Sequence, residues 1–347
     1  KALKQLKKVD LNLRGQIAAP QKKEMKKYIP KKVILSAQEK NKLVATRKAY
    51  GDALVKIHPK YPNMVVLDAE VSNSTFAETF KNAYPKRFFE MYIAEQNMVG
   101  CALGLARRGK IPFVSTFAAF MTRAADQIRM SQYSDANIKF VGSHAGVSIG
   151  EDGSSQMGLE DISLFRTILN SVVLYPSDAI ATEKLVEEAA KHKGIVYIRT
   201  TRQATPALYD AKEIFEIGGS KTLKSSANDI ATIISAGITL HEALAAVEEL
   251  KKEKINVRVI DLYSIKPIDI FTLELAAKQT KAIVTAEDHY AEGGLGEAVK
   301  SALSRQITPV YSLAVKNMPK SGQPQELLNY EEISKNAIIK KIKEVIK

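Results

Sequence analysis

The stretch IPFVSTFAAFMTRAADQIRMSQYSDANIKFVGS, residues 111–143, carries the pattern that sets the fold class. Residues 111–116 and 138–143 are short apolar runs typical of buried strands, and residues 118–133 between them have the apolar spacing of a helix. Strands that are buried on both faces and separated by helices indicate a parallel β-sheet covered by helices.

The same alternation continues on both sides of this stretch. The flanking strands are predicted at 64–69, 88–93, 171–175 and 195–199, and the flanking helices at 97–108 and 179–193. A polar stretch with glycine and proline interrupts the pattern at 205–226. The alternation then restarts, with predicted strands at 230–236, 257–262, 282–286 and 311–315 and predicted helices at 240–253, 296–304 and from 336 onward.

These two runs predict an α/β protein of two domains, each a mostly parallel sheet flanked by helices. We assign the first domain to residues 41–205 and the second to 222–347, with a linker at 206–221 and a basic linker at 1–40 in front. A length of 347 residues and a hydrophobic share of 45% provide enough apolar surface for two cores.

The positive charge of the chain is concentrated at its beginning. Of 51 basic and 38 acidic residues, 11 and 2 lie within residues 1–32, which leaves 40 and 36 in the rest, so this segment accounts for most of the net charge of +13. Nucleic-acid binding requires a basic face on a folded element, or basic residues interleaved with stacking aromatics, and this segment has one aromatic, Tyr28. We interpret it as a linker rather than a nucleic-acid-binding arm and expect no nucleic-acid partner.

The sequence has no feature of export or of membrane insertion. No apolar run approaches the ~20 residues of a membrane-spanning helix, and the first residues lack the apolar stretch and cleavage site of a signal peptide. A single cysteine, Cys101, excludes an internal disulfide and a Cys-rich zinc site. We therefore expect a cytoplasmic protein with no membrane partner, in which Cys101 packs in the core beside Ala102 and Leu103.

Two features at predicted strand ends could carry chemistry. Glu95 follows an apolar strand at the start of an apolar helix, where free amides stabilise a carboxylate, or burial raises its pKa toward the range useful for proton transfer. Phe117 and Phe120 share one face where another strand turns into a helix, at the edge of the sheet that usually binds ligands. From the residues alone, Glu95 is a helix cap or a proton-transfer group. The two phenylalanines are core residues or a platform for a flat heterocycle.

A glycine-rich loop follows the next predicted strand. The string HAGVSIGEDGSSQMGLEDI, which begins at His144, places Gly146, Gly150 and Gly153 around Glu151 and Asp152. This predicts a tight loop at the sheet edge and favours a functional role. His144 could bind a substrate oxygen or a phosphate, or could be a hydrogen-bonded structural residue. The other four histidines have no metal-ligand spacing among them, and we predict no metal site within the chain.

Taken together, a series of strings in one order resembles the transketolase family, in its animal-like branch. The strings, which begin at Ala45 and cover most of the chain, are ATRKAYG, YIAEQNM, STFAAF, GVSIGEDGSSQM, YPSD, IRTTR, GITLHEALAAVEELKKEKINVRV, IKPID and EDHYAEGGLGEAV. The resemblance implies that residues 41–205 are the pyrimidine-binding domain and residues 222–347 the C-terminal domain. The family's third domain, which binds the diphosphate of thiamine diphosphate and its Mg²⁺, carries a GDG signature that this sequence lacks. We expect that domain to be supplied elsewhere.

The resemblance also implies roles for ten residues. Glu95 falls on the catalytic glutamate that pairs with N1′ of the aminopyrimidine and favours the imino tautomer, whose 4′-nitrogen can remove the C2 proton of the thiazolium. Phe117 and Phe120 match the aromatics that pack on the pyrimidine, and Arg123 and Gln156 match neighbours of the same ring. The positions that match substrate contacts are, for the phosphate, Arg47, Ser74, His144 and Arg202 and, for a sugar hydroxyl, Asp152.

The family's activity implies a transferase of the pentose phosphate pathway, which moves a two-carbon ketol unit from a ketose phosphate to an aldose phosphate with thiamine diphosphate and Mg²⁺. The cofactor lies between chains in the family, so this chain would supply half of each site, in a homodimer of full-length chains or a heterotetramer of split subunits. Gln156 stands where yeast and bacterial members carry a histidine, so the proton transfer assigned to that histidine must come from elsewhere. The alternatives are a 1-deoxyxylulose-5-phosphate synthase, the β subunit of a 2-oxoacid dehydrogenase, and a non-catalytic dimerisation partner.

Overall fold

The computed structural model describes residues 43–347, and the predicted basic linker at 1–40 lies outside the described residues. Two sheets of mostly parallel strands, with seven and five strands, form the frame, and a two-stranded sheet joins the two ends of the first domain. The prediction of an α/β protein with two helix-flanked sheets is confirmed.

Short apolar runs form the strands of the first domain. These strands are β1 (Val44–Ala45), β2 (Met64–Asp68), β3 (Phe88–Glu90), β4 (Ile111–Phe117), β5 (Lys139–Ser143), β6 (Val172–Leu174), β7 (Val196–Arg199) and β8 (Ala204–Thr205). β1 pairs antiparallel with β8, and the other six form one parallel sheet in the order β6–β7–β5–β4–β2–β3. Every residue of β2, β5 and β7 is buried, as a sheet covered on both faces requires.

Helices cover both faces of this sheet. They are α1 (Thr46–Ile57), α2 (Ser72–Thr75), α3 (Ala77–Ala83), α4 (Glu95–Arg107), α5 (Ala125–Tyr133), α6 (Asp161–Arg166) and α7 (Ala179–Lys191). α7 begins where the Asp178 carboxylate accepts a hydrogen bond from the Ala181 amide at 2.7 Å, which satisfies one of the free amides of the first turn.

Two details of the first domain differ from the predictions. The segment predicted as one helix at 118–133 is a 3₁₀ segment, Ala118–Ala124, followed by α5. This segment lies so close to the sheet that a Cβ on Gly142 would come within 3.0 Å of Ala118. Cys101 is exposed, and its predicted core position is wrong: α4 buries Glu95, Met98, Val99 and Ala102 along one face, and Cys101 lies on another.

The second domain has the same layered plan. Its strands are β9 (Lys221–Lys224), β10 (Ala231–Ser235), β11 (Val257–Asp261), β12 (Ser264–Lys266), β13 (Ala282–Tyr290) and β14 (Val310–Val315), and its helices are α8 (Ile238–Lys252), α9 (Ile270–Gln279), α10 (Leu295–Ala302), α11 (Pro324–Tyr330) and α12 (Lys335–Val345). The sheet order is β14–β13–β10–β11–β9, parallel except for β9. None of the helices formed within residues 43–347 is long and apolar enough to cross a membrane.

The two domains are joined by more than a linker. β12 follows β11 of the second domain but pairs antiparallel with β6, at the edge of the first sheet. Within the predicted linker at 206–221, the buried Phe215 ring packs against Tyr263 of the second domain, with centroids 5.0 Å apart. β13 extends beyond its predicted end at residue 286 and brings Asp288 to the fully buried Arg199 at the end of β7, with N and O 2.7 Å apart.

Candidate active site

Nine of the ten predicted site residues come from the carboxyl ends of neighbouring parallel strands in the first sheet, and the tenth, Arg47, lies on α1. The nine lie at the end of β4 or after β2, β3, β4, β5 or β7, and the clearest examples are Ser74, Glu95, Phe117, His144 and Arg202. These five strands stand side by side in the order β7–β5–β4–β2–β3. Their carboxyl ends therefore meet at one edge of the sheet, where open α/β sheets bind ligands.

Glu95 is the first residue of α4, and its side chain is 5% exposed. Its Oε1 accepts a hydrogen bond from Arg123 Nη1 at 2.7 Å, and the Arg123 side chain is 51% exposed. Both residues line an open pocket of about 350 Å³, whose other lining residues are Ile93, Ala94, Gln96 and Asn97. A buried carboxylate at the edge of an open pocket can share a proton with a ligand nitrogen.

Phe120, Phe117 and His144 form a stack of three rings beside Glu95 and Arg123. The Phe117 and Phe120 centroids are 5.1 Å apart with planes 11° apart, and those of Phe117 and His144 are 3.8 Å and 18° apart. The guanidinium carbon of Arg123 lies 4.7 Å from the Phe120 centroid. Because Phe117 is buried and Phe120 half-buried, a flat ligand would reach the stack at the Phe120 end, where the exposed Arg123 side chain lies over the ring and would have to move aside.

His144 connects this stack to the predicted phosphate contacts. Its Nε2 lies 3.3 Å from Arg47 Nη1, and its Nδ1 lies 2.9 Å from Ser143 Oγ. Since a guanidinium can only donate, Nε2 accepts, and the ring proton is on Nδ1. Burial, together with the charges of Arg47 and Arg202, lowers the pKa of His144 to about 3, so the ring is neutral near pH 7.

Arg47 is held by a backbone carbonyl and an aromatic ring. Its Nη1 donates to the Ser74 carbonyl oxygen at 2.7 Å, and its guanidinium carbon lies 5.3 Å from the Phe76 centroid. Burial and the charge of Arg202 lower the pKa of Arg47, while Asp152 raises it. Its Nε is buried without a hydrogen-bond partner among residues 43–347. A guanidinium with an unused donor in a positive environment favours an anionic ligand.

Arg202 supplies the second positive charge of this group. Its Nη1 donates to the Ile149 carbonyl oxygen at 2.8 Å and lies 3.2 Å from Asp152 Oδ1. Gln156 Nε2 donates to the backbone carbonyl of Asp152 at 3.4 Å. Glu151 Oε2 also lies 3.7 Å from Arg202 Nη1. The donors of the two arginines suit the several oxygens of a phosphate, which would compete with these two carboxylates for Arg202.

Contacts join seven of the ten predicted residues, from Arg123 and Glu95 through the ring stack to Arg47 and Ser74. Contacts join Arg202, Asp152 and Gln156 in a second group, whose charges act on Arg47 and His144. Ser74 takes part through its main chain, whereas Gln156 takes part through its side-chain amide. Ser74 contributes its carbonyl oxygen to Arg47, and Gln156 bonds to the carbonyl oxygen of Asp152. The roles that the resemblance implies for these residues remain predictions.

Two family models match the chain. The model for the transketolase pyrimidine-binding domain matches residues 42–207, and the model for the transketolase C-terminal domain matches residues 220–338. A solved structure described as a split gene transketolase, inactive beta4 tetramer, is 40% identical, has a TM-score of 0.80, and is aligned over 88% of this chain and 99% of that chain. The chain belongs to the transketolase family.

Mammalian transketolases resemble the chain over most of its length. Mouse transketolase-like protein 2 is 54% identical over 307 residues, which are 88% of this chain and 49% of the mouse protein. Human transketolase is 53% identical over 307 residues, which are 87% of this chain and 49% of the human protein. The chain thus spans about half the length of these curated transketolase relatives. All ten predicted site residues lie within the part matched by the pyrimidine-binding model.

One residue that the sequence patterns did not single out supports the candidate site. Asp68 ends β2, and its Oδ1 and Oδ2 accept hydrogen bonds from the Val71 amide and the Thr75 hydroxyl, each at 2.7 Å. Burial raises the pKa of Asp68 to about 7. Because these donors lie on either side of Ser74, Asp68 fixes the turn whose carbonyl holds Arg47. The one signal in the sequence was an acidic residue at the end of the apolar run MVVLD.

Proposed function

We propose that this chain supplies the pyrimidine-binding and substrate-phosphate half of a transketolase active site, in an enzyme that transfers a two-carbon ketol unit from a ketose phosphate to an aldose phosphate. The observation that carries the proposal is the buried Glu95 carboxylate, which lines an open pocket 2.7 Å from Arg123, beside the stacked rings of Phe120 and Phe117. A carboxylate next to an aromatic face suits a flat heterocycle that carries a ring nitrogen.

The residues present fit the aminopyrimidine ring of thiamine diphosphate. Phe120 offers a half-buried ring face for stacking, and Glu95 offers a desolvated carboxylate for a hydrogen bond to a ring nitrogen. When bound, the cofactor supplies the carbon nucleophile of the reaction. Glu95 holds or gives a proton at the ring nitrogen, and Arg123, already paired with Glu95, keeps the carboxylate oriented toward the pocket.

Arg47, Arg202 and His144 bind the substrate phosphate in this proposal. Each arginine can direct two N–H groups at phosphate oxygens. When Arg47 turns from His144 Nε2 to the phosphate, the ring can take its other tautomer, in which Ser143 Oγ donates to Nδ1 and Nε2–H donates to a phosphate oxygen. Asp152, which lies beside Arg202, accepts a hydrogen bond from a sugar hydroxyl. Gln156 carries an amide that cannot titrate, so it orients the ligand and transfers no proton.

A second domain or subunit completes the site. We assign Mg²⁺ and the diphosphate contacts to a domain outside residues 43–347. Within those residues, no group of three or more His, Cys, Asp or Glu side chains is placed to hold a metal ion. The split gene transketolase relative is described as an inactive beta4 tetramer, which supports a need for another subunit. The assembly we propose is a cytoplasmic homodimer of full-length chains or a heterotetramer of split subunits.

The alternatives are less well supported. The relatives that match the chain over most of its length carry transketolase names, which disfavours a 1-deoxyxylulose-5-phosphate synthase and the β subunit of a 2-oxoacid dehydrogenase. A non-catalytic dimerisation partner has no need of a connected set of arginines, histidine and carboxylate at the ligand-binding edge of its sheet.

The experiment mixes the purified chain with a diphosphate-binding domain from a transketolase relative, thiamine diphosphate and Mg²⁺. Ketol transfer from xylulose 5-phosphate to ribose 5-phosphate is measured beside condensation of pyruvate with glyceraldehyde 3-phosphate. We expect the first reaction alone, negligible turnover by the unmixed chain, and a loss of at least ~100-fold in kcat for Glu95→Gln, since positioned proton transfer contributes roughly 10²–10⁴-fold.

The matched control is Glu78→Gln, because Glu78 is an exposed glutamate in the first turn of α3. Turnover unchanged in Glu95→Gln would remove Glu95 from the reaction and favour the non-catalytic partner. Product from pyruvate instead of xylulose 5-phosphate would favour the synthase.

A further inference from the structure

The loop that carries two of the predicted substrate contacts, His144 and Asp152, packs against the second domain. The loop follows β5, and its side chains share one buried apolar cluster with the second domain. The cluster consists of Val147, Ile149, Met157 and Leu159 from the loop and Ile238, Val315, Leu327, Leu328 and Ile333 from the second domain. The loop is therefore packed across the junction between the domains, against α11 and its neighbours.

Two loop glycines bring the backbone close to the start of α11. Gly150 and Gly153 have backbone φ values of 78° and 87°, which residues other than glycine rarely adopt. A Cβ on Gly150 would lie 3.0 Å from the Gly322 carbonyl oxygen, and one on Gly153 would lie 2.8 Å from Ser321 Oγ. This close approach places the loop firmly against the chain that leads into α11.

The polar side of the same loop holds Arg202. Arg202 Nη1 donates to the Ile149 carbonyl oxygen at 2.8 Å and lies 3.2 Å from Asp152 Oδ1 and 3.7 Å from Glu151 Oε2. Gln323, the N-cap residue of α11, donates its Nε2 to Glu151 Oε1 at 3.1 Å. Gln323 and Arg202 thus contact opposite oxygens of one carboxylate.

We propose that the second domain positions the Arg202 guanidinium for the substrate phosphate, with Leu327 and Gln323 as positioning residues that act through the loop at 147–153. This inference rests on the proposed transketolase function, which assigns Arg202 to a substrate phosphate. If the loop loses its seat on α11, the carbonyl and the carboxylates that orient Arg202 lose their fixed positions. The effect falls on recognition of the phosphate, because Glu95 and Arg123 are held by α4 and the 3₁₀ segment Ala118–Ala124.

The test compares Leu327→Ala with Leu250→Ala in the enzyme assembled from this chain and the diphosphate-binding domain. Leu250 is fully buried in a different core cluster, formed by α8, α12 and the second sheet, so its truncation controls for a general loss of stability. The donors are xylulose 5-phosphate and xylulose, which differ in the phosphate alone.

We expect Leu327→Ala to raise KM for xylulose 5-phosphate about tenfold, since a displacement of ~1 Å can cost roughly 100-fold and Arg202 keeps part of its support. KM for xylulose and both kcat values should be unchanged, and Leu250→Ala should change none of the four constants. Gln323→Ser is the second variant, because serine is also a good N-cap but does not reach Glu151. It should raise the same KM about twofold to threefold, as expected for one exposed hydrogen bond to a charged group.

Equal changes in KM for the two ketoses, a loss confined to kcat, or no change in the variants would overturn the proposal. If Leu327→Ala does not fold, Gln323→Ser decides by the same comparison. Wild-type enzyme that makes no product from either ketose overturns the proposed function and this inference with it. An active wild type with unaffected variants overturns the inference alone.

Discussion

Replacing Arg199 by methionine should destabilise the chain strongly, because this arginine joins the two domains. Arg199 is fully buried, and its guanidinium donates to Asp161 Oδ2 at 2.8 Å and to Asp288 Oδ1 at 2.7 Å. Nη2 also donates to the backbone carbonyls of Gly158 and Asp288, at 2.9 and 3.1 Å. Asp288 belongs to β13 of the second domain, whereas Asp161 and Gly158 belong to the first.

The magnitude follows from the groups that methionine leaves behind. Burial lowers the pKa of Arg199, but the carboxylates of Asp161 and Asp288 raise it to well above its ordinary value, so the arginine is charged. Without the arginine, the buried carboxylates of Asp161 and Asp288 still accept hydrogen bonds from the hydroxyls of Tyr197 and Tyr175. They have no cation beside them to balance their charge. Removing one partner of a buried ion pair costs ~3–5 kcal/mol, and we expect a loss of about 4 kcal/mol from an unfolding free energy of roughly 5–15 kcal/mol.

Urea unfolding measures this loss. Circular dichroism and tyrosine absorbance can follow it, because the chain has 13 tyrosines and no tryptophan. The midpoint for Arg199→Lys should lie between those of the wild type and Arg199→Met, because lysine keeps the charge but loses the planar fork. Arg129→Met removes an exposed arginine on α5 and should leave the midpoint unchanged. A loss below ~1 kcal/mol in Arg199→Met, the ordinary cost of a point substitution, would refute the idea that these charges hold the domains together.

Two further substitutions probe the core and its titration. Burial raises the pKa of Asp261 from an ordinary 3.8 to about 7. Between about pH 4 and 7 the folded state therefore holds a proton that the unfolded state has lost. The free energy of unfolding falls as the pH rises through that window. Asp261→Asn should reduce this slope, which is at most ~1.4 kcal/mol per pH unit for one group; a slope unchanged in urea titrations at several pH values would contradict it. Gly51→Ala should cost ~1–3 kcal/mol by overpacking, because its Cβ would lie 2.3 Å from the Phe76 carbonyl oxygen, and an unchanged urea midpoint would show that α1 can move away.

Local sequence patterns predicted the central strands because a strand that is buried on both faces is apolar along most of its length. β2 (Met64–Asp68) and β4 (Ile111–Phe117) fall on apolar runs, as a sheet covered by helices requires. β12 (Ser264–Lys266) was not predicted, since it is three residues long and pairs with a strand of the other domain. No window of neighbouring residues contains that contact, which exists only once both sheets have formed.

In the candidate site too, some features could be predicted from local sequence patterns, whereas contacts between the domains could not. His144 and Arg202 could be placed together because parallel strands end at one edge of a sheet, so residues after successive strands converge. The contacts that join this domain to the second domain could not be predicted. The contact of Gln323 with Glu151 and that of Arg199 with Asp288 join residues far apart in sequence. Such contacts depend on how the second domain docks, for which helix and strand periodicity carries no information.

The hydrogen-bond partners of four buried carboxyl groups distinguish Glu95 from three acids that are held by fixed groups within the fold. Asp68 and Asp261 accept hydrogen bonds from fixed hydroxyl or amide groups, and Glu287 accepts two from the first amides of α10, at 2.5 and 2.8 Å. A ligand could reach these oxygens only by breaking buried hydrogen bonds, each of which leaves an unsatisfied donor. Glu95 differs, because its partner is Arg123, whose side chain is 51% exposed and can move into solvent. An ion pair with one exposed partner contributes little to stability, typically ~0–1 kcal/mol, so a heterocycle can share the Glu95 carboxylate with Arg123 at small cost. Among these four buried acids, Glu95 is therefore the one whose surroundings allow a ligand to bind.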